Sequence, residues 1–207
     1  MSRIRAGLLD QARPPMGQWA FVDPGFARDK RSCALLVDSG EPALHTFAEL
    51  QAALVLLARE AGPPLHLVIE APLSVAFGPN GNPVGRRIER RESAQRYWYE
   101  GLGCGVIVAA TYLLRAMTTA GPLREIRLFE GLVSFKKKGL RSSHAADVLL
   151  LRQVVRGDLA AGQIVAPEAL AVAPEDSVCS AFAVAGMDYG VPPVVVVASA
   201  LDDAISH

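Results

Sequence analysis

Three apolar runs in this chain stop on a carboxylate: "WAFVD" at 19–23 on Asp23, "LHLVIEAP" at 65–72 on Glu70, and "EIRLFE" at 125–130 on Glu130. An acid at the end of a buried strand loses hydration, and it is stable there only when something positive lies against it. Asp23 is followed at once by Pro24 and Gly25, and Glu70 by Ala71 and Pro72, so bulky side chains are cleared away from both. Bare carboxylates brought to one edge of a sheet repel each other and raise each other's pKa, which makes hard divalent cations their natural partners. Ligation by oxygen alone selects Mg2+ or Mn2+ over Zn2+. Two such ions about 4 Å apart would clamp the attacking and leaving oxygens of a phosphodiester and activate a water. The chemistry expected of this constellation is metal-dependent hydrolysis of a nucleic-acid backbone.

Asp176, expected in the first turn of a helix over "PEDSVCSAFAVAG" at 174–186, is placed to close the set. Each acid also has an ordinary structural explanation. Asp23 before Pro-Gly suits a turn. Glu130 can pair with Arg127 or Lys136 at a strand end, Asp176 suits the positive end of a helix, and Asp147 reads as a solvated face residue. Glu70 resists this treatment, because a Glu between "LVI" and "AP" gains nothing as a turn former. Recurrence favours a shared role, since independent turn residues need not all be acids. Whether Glu130, Asp147 or Asp176 is the further ligand stays open in the sequence.

The elements that must position these acids follow from run lengths and punctuation. Residues 1–17 are polar, end in Pro14, Pro15 and Gly17, and read as a flexible N-terminal arm before a single domain over 18–207. "WAFVD", "CALLVDSG" at 33–40 and "ALHTF" at 43–47 are short runs joined by tight turns, an antiparallel meander. A helix is expected over 47–62, a strand over 65–72, a buried helix over 105–117 and a strand over 125–130. An amphipathic helix follows over 142–157, with Ser142 or Ser143 as N-cap and Gly157 as its stop, and then a final strand over 191–199. A meander followed by strand and helix alternation predicts an α/β fold, a mixed sheet covered by helices on both faces.

The stretch 74–100 is an insertion of different character, rich in Gly, Pro and Asn, then in Arg, then aromatic. If helical, Arg86 with Arg90 and Arg87 with Arg91 stack one turn apart into a basic stripe suited to phosphates. Tyr97, Trp98 and Tyr99 would either stack on bases or anchor in the core. Lys136, Lys137 and Lys138 form a second basic spot near Glu130. Such patches must be local, because Lys plus Arg and Asp plus Glu both number 21 and there is no global field to attract a polyanion. Apolar residues at 51% and charged residues at 20% describe an ordinary folded domain. Cys33, Cys104 and Cys179 lack metal-ligand spacing and read as reduced thiols. The apolar stretch 104–114 is short of a membrane span of about 20 residues, and the N-terminus lacks the apolar core of a secretory signal, so a cytoplasmic location without membrane partners is expected.

"FVDPGFA" resembles the first-strand motif of RuvC-type Holliday-junction resolvases, members of the ribonuclease H-like superfamily; "LVIEAP" resembles their second acidic motif and "PEDSVCSAFAVAG" their last helix. "RLFEGLVSF" with "EDSVCSAFAVAG" is similar to a family of predicted nucleases, domain of unknown function 429. The resemblance implies a five-stranded mixed sheet plus an extra C-terminal strand. It also implies an acid on the first strand, one on the fourth strand and one on the last helix, together holding two Mg2+ or Mn2+ ions. It carries the ligand role to Asp23, Glu70 and Asp176, and a catalytic role to Glu130. It further implies a nuclease acting on DNA or RNA, and a homodimer if both strands of a junction are cut symmetrically. Two other readings remain open: a non-catalytic nucleic-acid-binding module of the same fold, and an actin-like or sugar-kinase-like ATP-binding domain suggested by the Asp-x-Gly after the first strand.

Overall fold

The computed structural model describes residues 3–12, 17–28, 30–91, 94–95, 102–133, 143–160 and 162–197. Within the stretch read as a flexible arm, Ile4–Ala6 form β1 and Leu9–Ala12 a one-turn helix, α1. Burial of Ile4 supplies the reason: the short run docks one apolar side chain in the core and pairs its backbone with a neighbouring strand. The meander is present as β2 (Gln18–Asp23), β3 (Cys33–Val37) and β4 (Ala43–His45). α2 (Phe47–Arg59) starts from a capping box in which Thr46 and Glu49 each satisfy the other's backbone N–H. β5 (Leu65–Ile69) follows, with all five residues buried.

Among its described residues, 74–91 and 94–95, the insertion holds no α-helix. It contributes β6 (Ser74–Phe77), β7 (Pro83–Val84), a 3-10 turn at Arg87–Glu89, β8 (Arg90–Arg91) and β9 (Ala94–Gln95). α3 (Leu102–Ala120) is longer than expected, and its Gly103–Ala120 window, of mean hydropathy 1.3, is long and apolar enough to cross a membrane by length and composition alone. Its Ala110, Leu113, Leu114 and Met117 are nevertheless spent on the protein core. β10 (Ile126–Val133) runs three residues past Glu130, and α4 (His144–Arg156) is capped by Ser143 and stopped by Gly157 in the left-handed conformation at φ 79°. β11 (Gly162–Val165) comes next.

The helix expected over 174–186 is absent. Its first half is β12 (Ser177–Ser180), paired antiparallel with β6, and its second half is a 3-10 turn at Ala183–Ala185 ended by Gly186 at φ 68°. Val, Cys and Ser are weak helix formers, and a waiting strand partner decides the matter. β13 (Val194–Val197) completes the chain of elements.

The main sheet has the order β11-β13-β10-β5-β2-β3-β4, with β1 also beside β10. β2, β5, β10 and β13 run parallel, and β3, β4 and β11 are antiparallel to their neighbours. Because side chains alternate along a strand, the sheet buries two different sets. Ala20, Val22, Leu65, Leu67, Ile69, Ile126 and Leu128 pack in one core with α2 and α3. Trp19, Phe21, Val68, Phe129 and Val133 pack in a second core with Val148, Leu151, Val154 and Val155 of α4. The result is a mixed α/β layer structure with helices on both faces.

Candidate metal centre

Strand alternation decides which acids can meet. Asp23 continues the Trp19, Phe21 series of β2, and Glu70 continues the His66, Val68 series of β5, so both point to the α4 face at the end where the parallel strands finish. Glu70 stays in the ladder by donating its backbone N–H to Val22 O at 2.8 Å. α4 answers from above with Asp147, in its first turn on the same stripe as Val148, Leu151, Val154 and Val155. One carboxylate oxygen from each of Asp23, Glu70 and Asp147 lies within 4.8 Å of the others, and all three residues are buried. Charges that close repel by roughly 3 kcal/mol per pair at an effective dielectric of about 20. A donor set made only of carboxylates fits a hard divalent cation such as Mg2+ or Mn2+.

His144 adds a nitrogen to this group. It is the first residue of α4, its Nδ1 lies 2.7 Å from Asp23 Oδ2, and its side chain is 42% exposed while that of Asp23 is 7% exposed. The centre thus has buried acids and one solvent-facing imidazole. α4 is aimed by Ser143, whose Oγ accepts from Ala146 N at 3.2 Å and whose carbonyl accepts from Asp147 N at 3.1 Å. Pro24 and Gly25 have a local role: a Cβ on Gly25 would sit 2.2 Å from Ser32 O, so only glycine permits the turn that returns the chain to β3.

Two expected site acids lie elsewhere. Asp176 forms its own turn, accepting from Ala173 N at 2.9 Å while its backbone N–H donates to Ala173 O at 3.1 Å, and it precedes a strand rather than opening a helix. Glu130 is mid-strand and on the other face: its series on β10 is Ile126, Leu128, and its register partner on β5 is Ile69, not Glu70. The α4-facing position beside Glu70 belongs to Gly131, where a Cβ would lie 2.9 Å from Leu151 Cδ1 and 3.3 Å from Glu70 Cα.

Glu130 is instead half of a buried ion pair with Arg86. Arg86 Nη1 and Nη2 each reach a Glu130 oxygen at 2.8 Å, Nε and Nη2 reach Glu89 Oε1 at 3.1 and 2.7 Å, and Nη1 reaches Ser74 Oγ at 2.7 Å. Burial pulls the Arg86 guanidinium down, but Glu130 and Glu89 outweigh it and hold its pKa above the ordinary arginine value. Burial pushes the Glu130 carboxyl up, against the pull of Arg86 and of Leu73 N. All five N–H groups of the guanidinium are therefore used. Arg86 is fully buried and has no donor left for a phosphate.

Arg87 is exposed and donates to Ala171 O at 3.2 Å and Val172 O at 3.4 Å. The stripe that a helix would make of Arg86 with Arg90 and Arg87 with Arg91 is not formed, because the backbone here is a 3-10 turn and a strand. The side chains of Arg90 and Arg91, and Tyr97, Trp98, Tyr99, Lys136, Lys137 and Lys138 entirely, lie outside the described residues. The three cysteines are free; Cys33 is buried, and Cys104 and Cys179 are exposed.

Asp147, expected on a solvated face, is buried; the signal for this is its spacing, since Leu151, Val154 and Val155 at four, seven and eight residues on put it on the apolar face of its helix. His144, one turn earlier, shares that register. No protein-family model matches the chain, and no curated protein or solved structure matches it.

Proposed function

We propose that this protein is a metal-dependent nuclease that hydrolyses phosphodiester bonds of nucleic acid at the Asp23, Glu70, Asp147 centre. The observation that carries the reading is the meeting of three carboxylates from three separate elements within 4.8 Å at the end of the parallel strands. Their placement supports the ribonuclease H-like resemblance: an acid on β2, the first strand of the meander, one directly after β5, the strand that follows the meander, and one on a late helix, α4. In this reading Asp147, not Asp176, is the helix ligand.

Asp23, Glu70 and Asp147 hold one or two divalent cations. When bound, these ions supply positive charge for a non-bridging phosphate oxygen and lower the pKa of a water. Asp23, buried at the strand end, keeps a fixed position because its backbone pairs with Ala34 of β3 and the residue before it, Val22, pairs with Ile69 of β5. His144 takes up the proton released by the attacking water, since it is the solvent-facing base in contact with the cluster. Asp147 reaches the cluster from the first turn of α4, whose start is fixed by the Ser143 cap.

The test is cleavage of labelled single-stranded, duplex and branched DNA and RNA with Mg2+ or Mn2+. The expected result is metal-dependent cleavage that is lost in Asp23→Asn, Glu70→Gln and Asp147→Asn. Cleavage that survives these changes, or stabilisation by ATP without any cleavage, would overturn the proposal.

A further inference from the structure

The Arg86 cluster is tied to the acidic centre through one short turn. Glu70 opens that turn, whose first half is held by Glu70 N to Val22 O and Ala71 N to Ile69 O, both at 2.8 Å. Its second half is held by Leu73 N donating to Glu130 Oε2 at 2.8 Å and by Ala181 N donating to Leu73 O at 2.9 Å. Ser74, the next residue, takes the Arg86 Nη1 bond. The same Glu130 oxygen therefore receives both the turn and the guanidinium.

We propose that Arg86 and Glu130 are positioning residues for the metal centre: their fork fixes the Glu70–Leu73 turn so that the Glu70 carboxylate faces Asp23 and Asp147. This assignment rests on the metal-centre reading above. The two residues act from the opposite face of the sheet, since Glu130 lies with Ile69 while Glu70 points toward α4. The cluster holds two carboxylates and one guanidinium, so it has no spare positive charge to neutralise Glu70. What it supplies is geometry. Replacing a buried ion cluster by packed apolar side chains is often neutral for stability, whereas the planar, bidentate fork specifies direction. Partners one shell away from a metal ligand typically alter metal affinity or activity by about 10-fold to 100-fold when removed.

The test compares Arg86→Lys and the apolar triple replacement Arg86→Met/Glu89→Leu/Glu130→Met with the unaltered chain. Folding is followed by thermal unfolding, Mn2+ affinity by calorimetry, and cleavage of an oligonucleotide by kcat and KM. The expected result is a cooperative fold in at least one variant, Mn2+ binding weakened about tenfold or more, a lower kcat, and an oligonucleotide KM with unchanged salt dependence. Unaltered Mn2+ affinity in a folded variant overturns the proposal. A raised KM with a shallower salt dependence and intact Mn2+ affinity also overturns it, in favour of a phosphate contact. Failure of the unaltered chain to bind Mn2+ at all marks the failure of the metal-centre reading, and the positioning role falls with it.

Discussion

At Asp147 a carboxylate sits 3% exposed on the apolar stripe of a helix, with an oxygen within 4.8 Å of one from each of Asp23 and Glu70. Asp176 has its own backbone donor, and its turn is complete without any ion. The two acids should therefore separate cleanly in function. Asp147→Asn is expected to lower Mn2+-dependent cleavage by at least about 100-fold, while Asp176→Asn leaves it near the unaltered rate, as read from initial rates on a labelled oligonucleotide. His144→Ala should reduce kcat by roughly 100-fold, within the usual range for a general base, while Mn2+ affinity by calorimetry changes far less. Glu70 and Asp23 were recognisable from sequence because each follows an unbroken apolar run. Glu130 followed one too, and what its run could not reveal was that β10 continues to Val133 and places Glu130 one residue out of phase with Glu70.

At the level of elements, α4 is the part that brings a ligand across to the sheet, and its start is set by Ser143. Ser143→Ala removes the acceptor for Ala146 N and should cost about 1 kcal/mol of unfolding free energy in a urea titration. Gly131→Ala places a methyl against fully buried Leu151 and against the Glu70 backbone. That change should cost about 1–3 kcal/mol by overpacking and weaken Mn2+ binding as well, a coupling visible when both are measured on one preparation. The meander, α2, β5 and α4 were legible because each carries a period and a stop signal of its own. The segment 174–186 was not: Val178, Phe182 and Ala185 have helical spacing, but Val178 packs in a small cluster with Leu132, Leu170, Val194 and Val196 while Phe182 packs in the α2 and α3 core. Pairing with β6, far away in sequence, overrides the local pattern. The Arg-rich insertion misled for a similar reason, since the buried glutamates that claim Arg86 come partly from β10.

Across the whole molecule, the sheet separates two cores and brings its acids together at one end. The opposite end carries a titratable group that reports on global stability. His66 is stacked on Trp19 at 4.5 Å and lies near Phe129 at 5.8 Å. Burial, reinforced by the nearby Arg127 charge, pushes its imidazole down from 6.5 to about 4. The unfolded chain takes up this proton near pH 6.5 and the folded chain only near pH 4, so the contribution is whole above that window and is lost as pH falls through it. The shift corresponds to roughly 3 kcal/mol. His66→Phe should flatten the decline of unfolding free energy between pH 6.5 and pH 4 relative to the unaltered chain, measured by urea titration at several pH values.

The chemistry at the other end depends on whether the carboxylates of β2, β5 and α4 take up divalent ions together. Calorimetric titration of Mn2+ into the intact chain, beside Asp147→Asn and Asp176→Asn, asks this directly. Saturable binding in the intact chain that persists in Asp176→Asn and disappears in Asp147→Asn is the predicted result. Absence of binding in the intact chain at millimolar Mn2+, or binding that Asp147→Asn leaves untouched, would contradict it.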